Sequence, residues 1–123
     1  MHSYILEDWL TVRGPGSDTI TQDEMRWLDL EAFQDAVFYV ECRSSTASPT
    51  ITFQTSPCKD DSLFAPFAST GLNGSTTPSV VPALLANASP PLARFVRWQI
   101  VGPIGTPWDA TFRVIVAANS PGM

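Results

Sequence analysis

Charged side chains are scarce in this sequence. They make up 15% of the 123 residues, whereas about a quarter is usual for a soluble domain. Seven residues are basic and twelve are acidic, which gives a net charge of −5. Because nucleic-acid binding depends on clustered Lys and Arg, we expect no nucleic-acid partner. A surface with so few charges favours packing against other protein subunits or stacking against sugars.

The residue types that most enzymes need are also rare. The single histidine, His2, follows the first methionine, although histidine is the commonest acid–base catalyst. We therefore expect a protein that is not an enzyme, has no catalytic residues and binds no cofactor. The best metal candidate is the pair Asp60 and Asp61, and adjacent acids in a loop more often cap a turn than hold calcium. No metal site is predicted.

Long apolar runs and an export signal are missing as well. No stretch reaches the roughly 18 apolar residues that a membrane-spanning helix needs. The first eight residues contain no Lys or Arg and include Glu7 and Asp8, which is unlike a signal peptide. We expect neither a membrane span nor export by a signal peptide. In such a chain, Cys42 and Cys58 are expected to remain thiols.

What the sequence does contain is short stretches of alternating polar and apolar residues. Eleven prolines and seven glycines separate these stretches, and helical spacing is rare. Strands are predicted at residues 6–13, 25–31, 36–43, 50–55, 94–101 and 110–117, with a proline-bearing edge strand at 80–85. Residues 60–67 fit either a capped turn or an irregular strand. Seven or eight short strands predict an all-β fold, in which residues 1–123 form a single two-sheet antiparallel β-sandwich of jelly-roll type.

The spacing of the strands suggests two hairpins. Residues 36–43 are expected to pair with residues 50–55, and residues 94–101 with residues 110–117, each across a loop of six or seven residues. Trp98 then belongs to the core, and Trp108 lies at the rim of the second loop.

Alternation also assigns large aromatic and basic side chains to outward positions. If Leu10, Leu28 and Phe38 face the core, their neighbours face outward. The outward aromatic residues are Trp9, Trp27 and Tyr39, and the outward arginines are Arg13, Arg97 and Arg113. Exposed aromatics together with arginine are typical of protein interfaces, so these six are the predicted interface residues. The open alternative is a strand that is buried on both faces, or a register shifted by one residue.

The last two predicted strands carry a family resemblance. They contain the segments Leu92-Ala93-Arg94-Phe95-Val96-Arg97-Trp98 and Trp108-Asp109-Ala110-Thr111-Phe112-Arg113-Val114. These segments resemble the closing strand pair of small jelly-roll β-sandwich virion proteins of tailed bacteriophages. The resemblance implies a head-decoration, cement or tail-associated role, in which homo-oligomers assembled in the host cytoplasm are clamped onto the virion.

Two functions remain under consideration. The first is a non-enzymatic structural protein of a large assembly, specifically a bacteriophage capsid decoration or cement protein or another virion protein, with neighbouring virion subunits as partners. The alternative is a carbohydrate-binding module, in which Trp9, Trp27 and Tyr39 form an aromatic platform on one sheet face and a glycan is the partner.

Overall fold

Nine strands account for most of the chain in the computed structural model, which describes residues 2–30, 33, 35–74, 78–84 and 90–119. Two three-residue 3-10 turns, Glu24–Arg26 and Asp61–Leu63, are the helical elements of this described part. The strands are β1 (His2–Gly14), β2 (Thr19–Thr21), β3 (Leu28–Asp29), β4 (Asp35–Thr46), β5 (Thr50–Ser56), β6 (Ala65–Gly71), β7 (Ser79–Ala83), β8 (Phe95–Val101) and β9 (Trp108–Asn119).

The strands form two antiparallel sheets with a jelly-roll order. Sheet A has the order β1-β9-β4-β7, and sheet B has the order β2-β8-β5-β6. β3 pairs with β8 further along the strand than β2 does, so β2 and β3 act as one interrupted strand. Counted in this way, eight strands follow the orders 1-8-3-6 and 2-7-4-5. The predicted all-β jelly-roll sandwich is confirmed.

Both predicted hairpins are wrong. β4 pairs with β7 and β9, whereas β5 pairs with β6 and β8. β8 and β9 likewise lie in different sheets. The connections cross from one sheet to the other, and Ala47 and Ser48 turn the first of them with φ values of 65° and 47°. Alternation shows which face of a strand is apolar. It does not show whether two successive strands pair within one sheet or face each other from opposite sheets.

The core lies between the sheets and follows the predicted alternation. Phe38 of sheet A stacks on Phe53 of sheet B with ring centroids 4.7 Å apart, and Trp98 meets the edge of Phe112 at 5.2 Å. Trp98 is 2% exposed, as predicted. β9 alternates without interruption, and its buried positions are Trp108, Ala110, Phe112, Val114, Val116 and Ala118.

Trp108 is therefore not at the rim of a loop, as predicted, but in the core at 3% exposure. Its indole Nε1 donates a hydrogen bond to Asp18 at 2.8 Å. Two glycines make room for this contact. A Cβ on Gly102 would lie 2.1 Å from Trp108 Nε1, and one on Gly14 would lie 1.9 Å from the Asp18 carboxylate. The indole can be buried because its one polar group has a partner.

Two segments differ from the predicted strands. The stretch at residues 25–31 contains a 3-10 turn and then the two-residue β3; Asp23 caps the turn by accepting from the Met25 amide at 3.0 Å. Residues 60–67 combine both alternatives, because Asp60 caps the second turn and β6 then runs through Pro66. The predicted edge strand at 80–85 is β7, which contains Pro82 and lies at the edge of sheet A. Glu31 and Leu85, the predicted ends, lie outside the described residues.

β1 is bulged at two places, between Ile5 and Glu7 and between Glu7 and Leu10. A bulge adds a residue to one strand and re-aims the side chains around it. Glu7, which alternation assigned to the outside, is consequently 2% exposed. Its carboxylate accepts from Arg26 at 2.6 Å and from Trp98 Nε1 at 3.2 Å, so the buried charge has two donors.

Candidate functional site

Trp9 and Arg113 form one cluster on the outer face of sheet A. The Arg113 guanidinium lies 4.9 Å from the centre of the Trp9 ring, and the guanidinium of Arg43 lies 4.3 Å from it. Arg113 also donates to both carboxylate oxygens of Glu41, at 2.8 and 2.7 Å. Its Nε is the one buried side-chain nitrogen or oxygen of the described residues without a hydrogen-bond partner. The cluster combines stacked cations with a fixed ion pair, which is chemistry common at protein interfaces.

An apolar row crosses the same face beside this cluster. The strand register aligns Ile5 with Ile115, Ile115 with Tyr39, and Tyr39 with Val80. Ile5 is 60% exposed, Val80 53% and Tyr39 37%. We call these four residues the apolar row. Three of the large hydrophobic side chains that this protein exposes are thus neighbours on one surface, whereas scattered exposed hydrophobics need no explanation.

Arg13 lies at one end of the same face. It pairs across the strands with Asp109, which in turn pairs with Thr46. These three residues line a cleft of about 490 Å³ together with Gly14, Pro15, Pro107 and Trp108. Four predicted interface residues therefore share the outer side of sheet A: Trp9, Arg13, Tyr39 and Arg113.

The other two predicted interface residues lie on the outer side of sheet B, Arg97 in β8 and Trp27 just before β3. Trp27 packs edge-on against Phe64, with ring centroids 4.7 Å apart, and the Arg97 guanidinium lies 4.0 Å from the Phe64 ring and 5.2 Å from the Trp27 ring. Arg97 also donates to Gln54 at 2.8 Å and to Asp61. Arg97 has the outward orientation that alternation predicts, but the two aromatic rings cover it and leave it 4% exposed. Trp27 consequently shares no platform with Trp9 and Tyr39.

One aligned row on the outer face of sheet B consists of polar, uncharged side chains. The register aligns Thr21, Gln99, Thr52 and Ser69 across its four strands. Gln99 donates to Thr21 at 3.0 Å and accepts from Gln54 at 3.2 Å. We call these four aligned residues the polar row. The two outer faces therefore differ in character, one carrying an apolar row and the other hydroxyl and amide groups.

The acidic residues that the structure describes do not converge on a metal site. Asp60 accepts from the amide and the hydroxyl of Ser62, at 3.0 and 2.7 Å, and these hydrogen bonds lower the pKa of Asp60. Asp61 is paired with Arg97. Among the residues that the structure describes, no group of three or more His, Cys, Asp or Glu side chains is arranged so that it could hold a metal ion. Cys42 is a buried thiol and Cys58 an exposed one, and no described helix is long and apolar enough to cross a membrane.

Several residues of the outer face of sheet A were missed as interface candidates. Ile5, Ile115 and Val80 each sit at an outward position of their own strand, which alternation could indicate. The row that they form depends on which strands are neighbours and in what register. The neighbours and the register are properties of the paired strands and cannot be read from any one segment of the sequence.

The jelly roll is shared with a viral protein of known structure. The infectious bursal disease virus VP2 subviral particle matches with a TM-score of 0.54 and 15% identity, over 98% of this chain and 32% of that chain. The Gx strain of the same virus matches with a TM-score of 0.53 and 13% identity, over 98% and 33%. A VP2 mutant that forms T=1 particles matches with a TM-score of 0.50 and 18% identity, over 98% and 32%.

These matches show that this chain shares the fold of that viral protein. The chain spans about a third of the length of the viral chains that it matches. No protein-family model matches the sequence, and no curated protein matches it either.

Proposed function

We propose that this chain is a non-enzymatic structural protein of a virus particle that packs against neighbouring subunits. The observation that carries the proposal is the jelly roll itself, which over 98% of the chain follows a protein described in subviral and T=1 particles. The scarcity of charge and of histidine agrees with a role that requires contact surface and no chemistry.

More specifically, the proposed role is that of a decoration, cement or tail-associated protein of a tailed bacteriophage. Its support is the resemblance of residues 92–98 and 108–114 to such proteins. The chain would assemble in the host cytoplasm and reside in the virion. Its partners would be other virion subunits, including copies of itself.

In this role the protein performs no reaction. The sandwich supplies a stiff body, and its outer faces supply the contact area, for which a specific interface needs about 1,000 Å² or more in total. The side chains proposed to contact a partner on sheet A are Trp9, Arg13, Tyr39 and Arg113. On sheet B, Arg97 is covered and would act by fixing Trp27, whose indole is the surface that a partner could reach.

The test is whether the chain is part of particles. Lysate from the source that encodes the chain is separated on a density gradient, and each fraction is analysed for tryptic peptides of the chain by mass spectrometry. The expected result is co-sedimentation with intact particles, and release when the particles are disrupted by denaturant. Peptides found only in the soluble fractions, in a lysate that contains particles, would overturn the proposal.

The polar row supports a second candidate, the carbohydrate-binding function. Sugar recognition combines hydroxyl and amide hydrogen bonds with contact to an aromatic ring, and Gln99, Thr52 and Ser69 lie on the same outer side of sheet B as Trp27. This candidate sugar site on sheet B takes the place of the predicted platform, in which Trp9, Trp27 and Tyr39 would share one sheet face. A glycan array with wild-type protein and a Gln99→Ala variant tests it; no bound glycan, or binding unchanged in the variant, would contradict it.

A further inference from the structure

We propose that two copies of this chain associate face to face through the outer surface of sheet A, with the apolar row at the centre of the contact. The proposal deepens the structural role proposed above and rests on it for its biological setting. It names the surface and the partner, a second copy of this chain.

The central part of this face is apolar. The apolar row places two isoleucines, a tyrosine and a valine side by side, and Ile5 and Val80 at its two ends are more than half exposed. The adjacent aligned positions are Ser3, Ala117, Val37 and Pro82. Two neighbouring rows thus contain no charged residue and no long polar side chain. Burial of this surface would be favourable at about 25 cal/mol per Å² of apolar area.

The dimensions of sheet A set the area that the contact can bury. β4 and β9 contain 12 residues each and β1 contains 13, so the sheet is about 40 Å long at about 3.3 Å per residue. Four strands at a spacing of about 4.8 Å give a width of about 19 Å, and the short β7 reduces the face to roughly 700 Å². A stable interface of standard size buries about 800 Å² on each partner. A two-fold axis at Tyr39 overlaps about four residues on either side of it, so the sheet supplies roughly 500 Å² per copy, near the roughly 1,000 Å² in total that a specific interface needs.

Two charged residues of β4 are complementary to each other under two-fold symmetry. On β4, Asp35 lies four residues before Tyr39 and Arg43 lies four residues after it, and all three occupy outward positions. A two-fold axis in the plane of the interface, parallel to the apolar row, sets Tyr39 opposite its own copy. The same operation sets Asp35 of each copy opposite Arg43 of the other. A C2 interface must match itself in this way, whereas an axis running along β4 itself would set Asp35 and Arg43 each opposite its own copy.

The proposed contact is also compatible with the cluster that Trp9 and Arg113 form on this face. Under the same operation, Glu41 and Arg113 lie opposite Val37 and Ala117 of the second copy. An ion pair that is already closed within one copy can be covered by small apolar groups without leaving a charge unpaired.

The test is the solution mass of the purified chain by sedimentation equilibrium across a concentration series. The wild type should reach twice the chain mass of 13.4 kDa. Ile5→Lys and Val80→Lys, at opposite ends of the apolar row, should each weaken the dimer at least about tenfold. Val101→Lys is the matched control, because Val101 is 42% exposed but belongs to the outer face of sheet B. Circular dichroism checks that each variant is folded.

A charge exchange tests the symmetry. Asp35→Arg and Arg43→Glu should each weaken the dimer, and the combined variant should restore it. A wild type that stays monomeric at all concentrations, lysine variants that dimerise normally, or a Val101→Lys variant that is equally impaired would overturn the proposal. These outcomes are independent of the particle gradient: a monomeric chain found in particles would refute only the dimer, and a dimer absent from particles would refute only the proposed function.

Discussion

Trp108 illustrates how strongly single residues determine the loop end of this sandwich. Its indole hydrogen bond to Asp18 ties the β8–β9 connection to the β1–β2 connection, and backbone bonds from Ser17 to Pro103 and from Gly102 to Asp18 reinforce it. The fit depends on glycine at two places where a side chain would collide. Glycine is needed at Gly102 because Trp108 lies too close for a side chain, and not because the backbone there has an unusual conformation.

We predict that Gly102→Ala destabilises the protein by about 1–3 kcal/mol, the usual cost of overpacking a filled site. The added methyl would lie 2.1 Å from Trp108 Nε1, so the ring has to move and its bond to Asp18 breaks. Urea unfolding followed by circular dichroism measures the change. Gly71→Ala is the control, because its Cβ would meet nothing within 4 Å. Equal destabilisation by both changes would show that the fit around Trp108 is not the cause.

A second prediction concerns pH. The hydrogen bond from Trp108, followed by the backbone bonds at Asp18 and Gly16, lowers the pKa of Asp18 below its usual value of 3.8. A carboxylate whose pKa is lowered by folding stabilises the native state above its unfolded pKa, and this contribution is lost as the pH falls through the folded pKa. The free energy of unfolding of wild type should therefore exceed that of Asp18→Asn at neutral pH.

The difference between the two proteins should shrink as the pH falls below about 4, because the wild-type carboxylate then becomes protonated. Unfolding curves at a series of pH values measure it. In a Trp108→Phe background, which lacks the indole donor, the pH dependence of the difference should be much smaller. A difference that is constant from pH 6 to pH 2 would contradict the assigned role of Asp18.

Alternation along single strands predicted much at the residue scale, because it depends only on the two-residue period of a strand. It placed Phe38, Phe53 and Trp98 in the core and Tyr39 outside. It failed at Glu7, where a bulge breaks the period, and at Arg97, where Trp27 and Phe64 from other segments cover an outward side chain. Trp108 was misplaced because its burial depends on glycine contacts with a distant loop.

At the scale of elements, the bulged strand β1 buries an acid that the remainder of the fold has to neutralise. Arg26 comes from the 3-10 turn between β2 and β3 and is 61% exposed, whereas Glu7 is 2% exposed. Gln22 supports the same region, because its amide donates to Leu6 O at 2.7 Å and accepts from the Trp98 amide at 3.3 Å. The bulge, the turn and β8 thus form one polar network inside the edge of the sandwich.

We predict that Arg26→Ala costs about 1–3 kcal/mol, because it leaves a buried carboxylate with one donor fewer. Glu7→Gln removes that charge while keeping an acceptor for the Trp98 indole. In the Glu7→Gln background, the cost of Arg26→Ala should fall by about 0.5–3 kcal/mol, the range of coupling between contacting residues. Urea unfolding of the wild type, the two single variants and the double variant measures this coupling. Additive effects of the two changes would disprove it.

Element pairing is the level at which sequence reasoning failed most clearly. The number and positions of the strands follow from local alternation and from turn residues, and most of them are correct. The predicted partners of β4, β5, β8 and β9 were wrong, because sequence neighbours in a jelly roll often cross to the opposite sheet. The apolar row could not be predicted for the same reason, since its four members come from four strands that are far apart in the chain.

At the scale of the whole molecule, strand pairing is dominated by contacts distant in sequence. His2 lies opposite Ala118, and Thr50 lies opposite Val101. Such pairings form only after long loops have closed. The chain loses entropy in this closure before the stabilising contacts are made, so folding is slow.

We predict that refolding takes milliseconds to seconds, as is usual for all-β domains of high contact order. Stopped-flow tryptophan fluorescence, to which the buried Trp98 contributes, measures it. Eleven prolines should add a minor phase of about 10–100 s that a prolyl isomerase accelerates, while the main phase is unaffected. Complete refolding within microseconds would contradict this expectation.

The irregular outer strands of the two sheets have a consequence for crowded conditions. β1 carries two bulges, β7 contains Pro82, β6 contains Pro66, and the strand opposite β6 is broken into β2 and β3. None of the four borders offers a long, straight ladder of free amide and carbonyl groups onto which another chain could add in cross-β fashion. Many copies can therefore be concentrated side by side without seeding amyloid, and contact between them is directed to the side-chain surfaces.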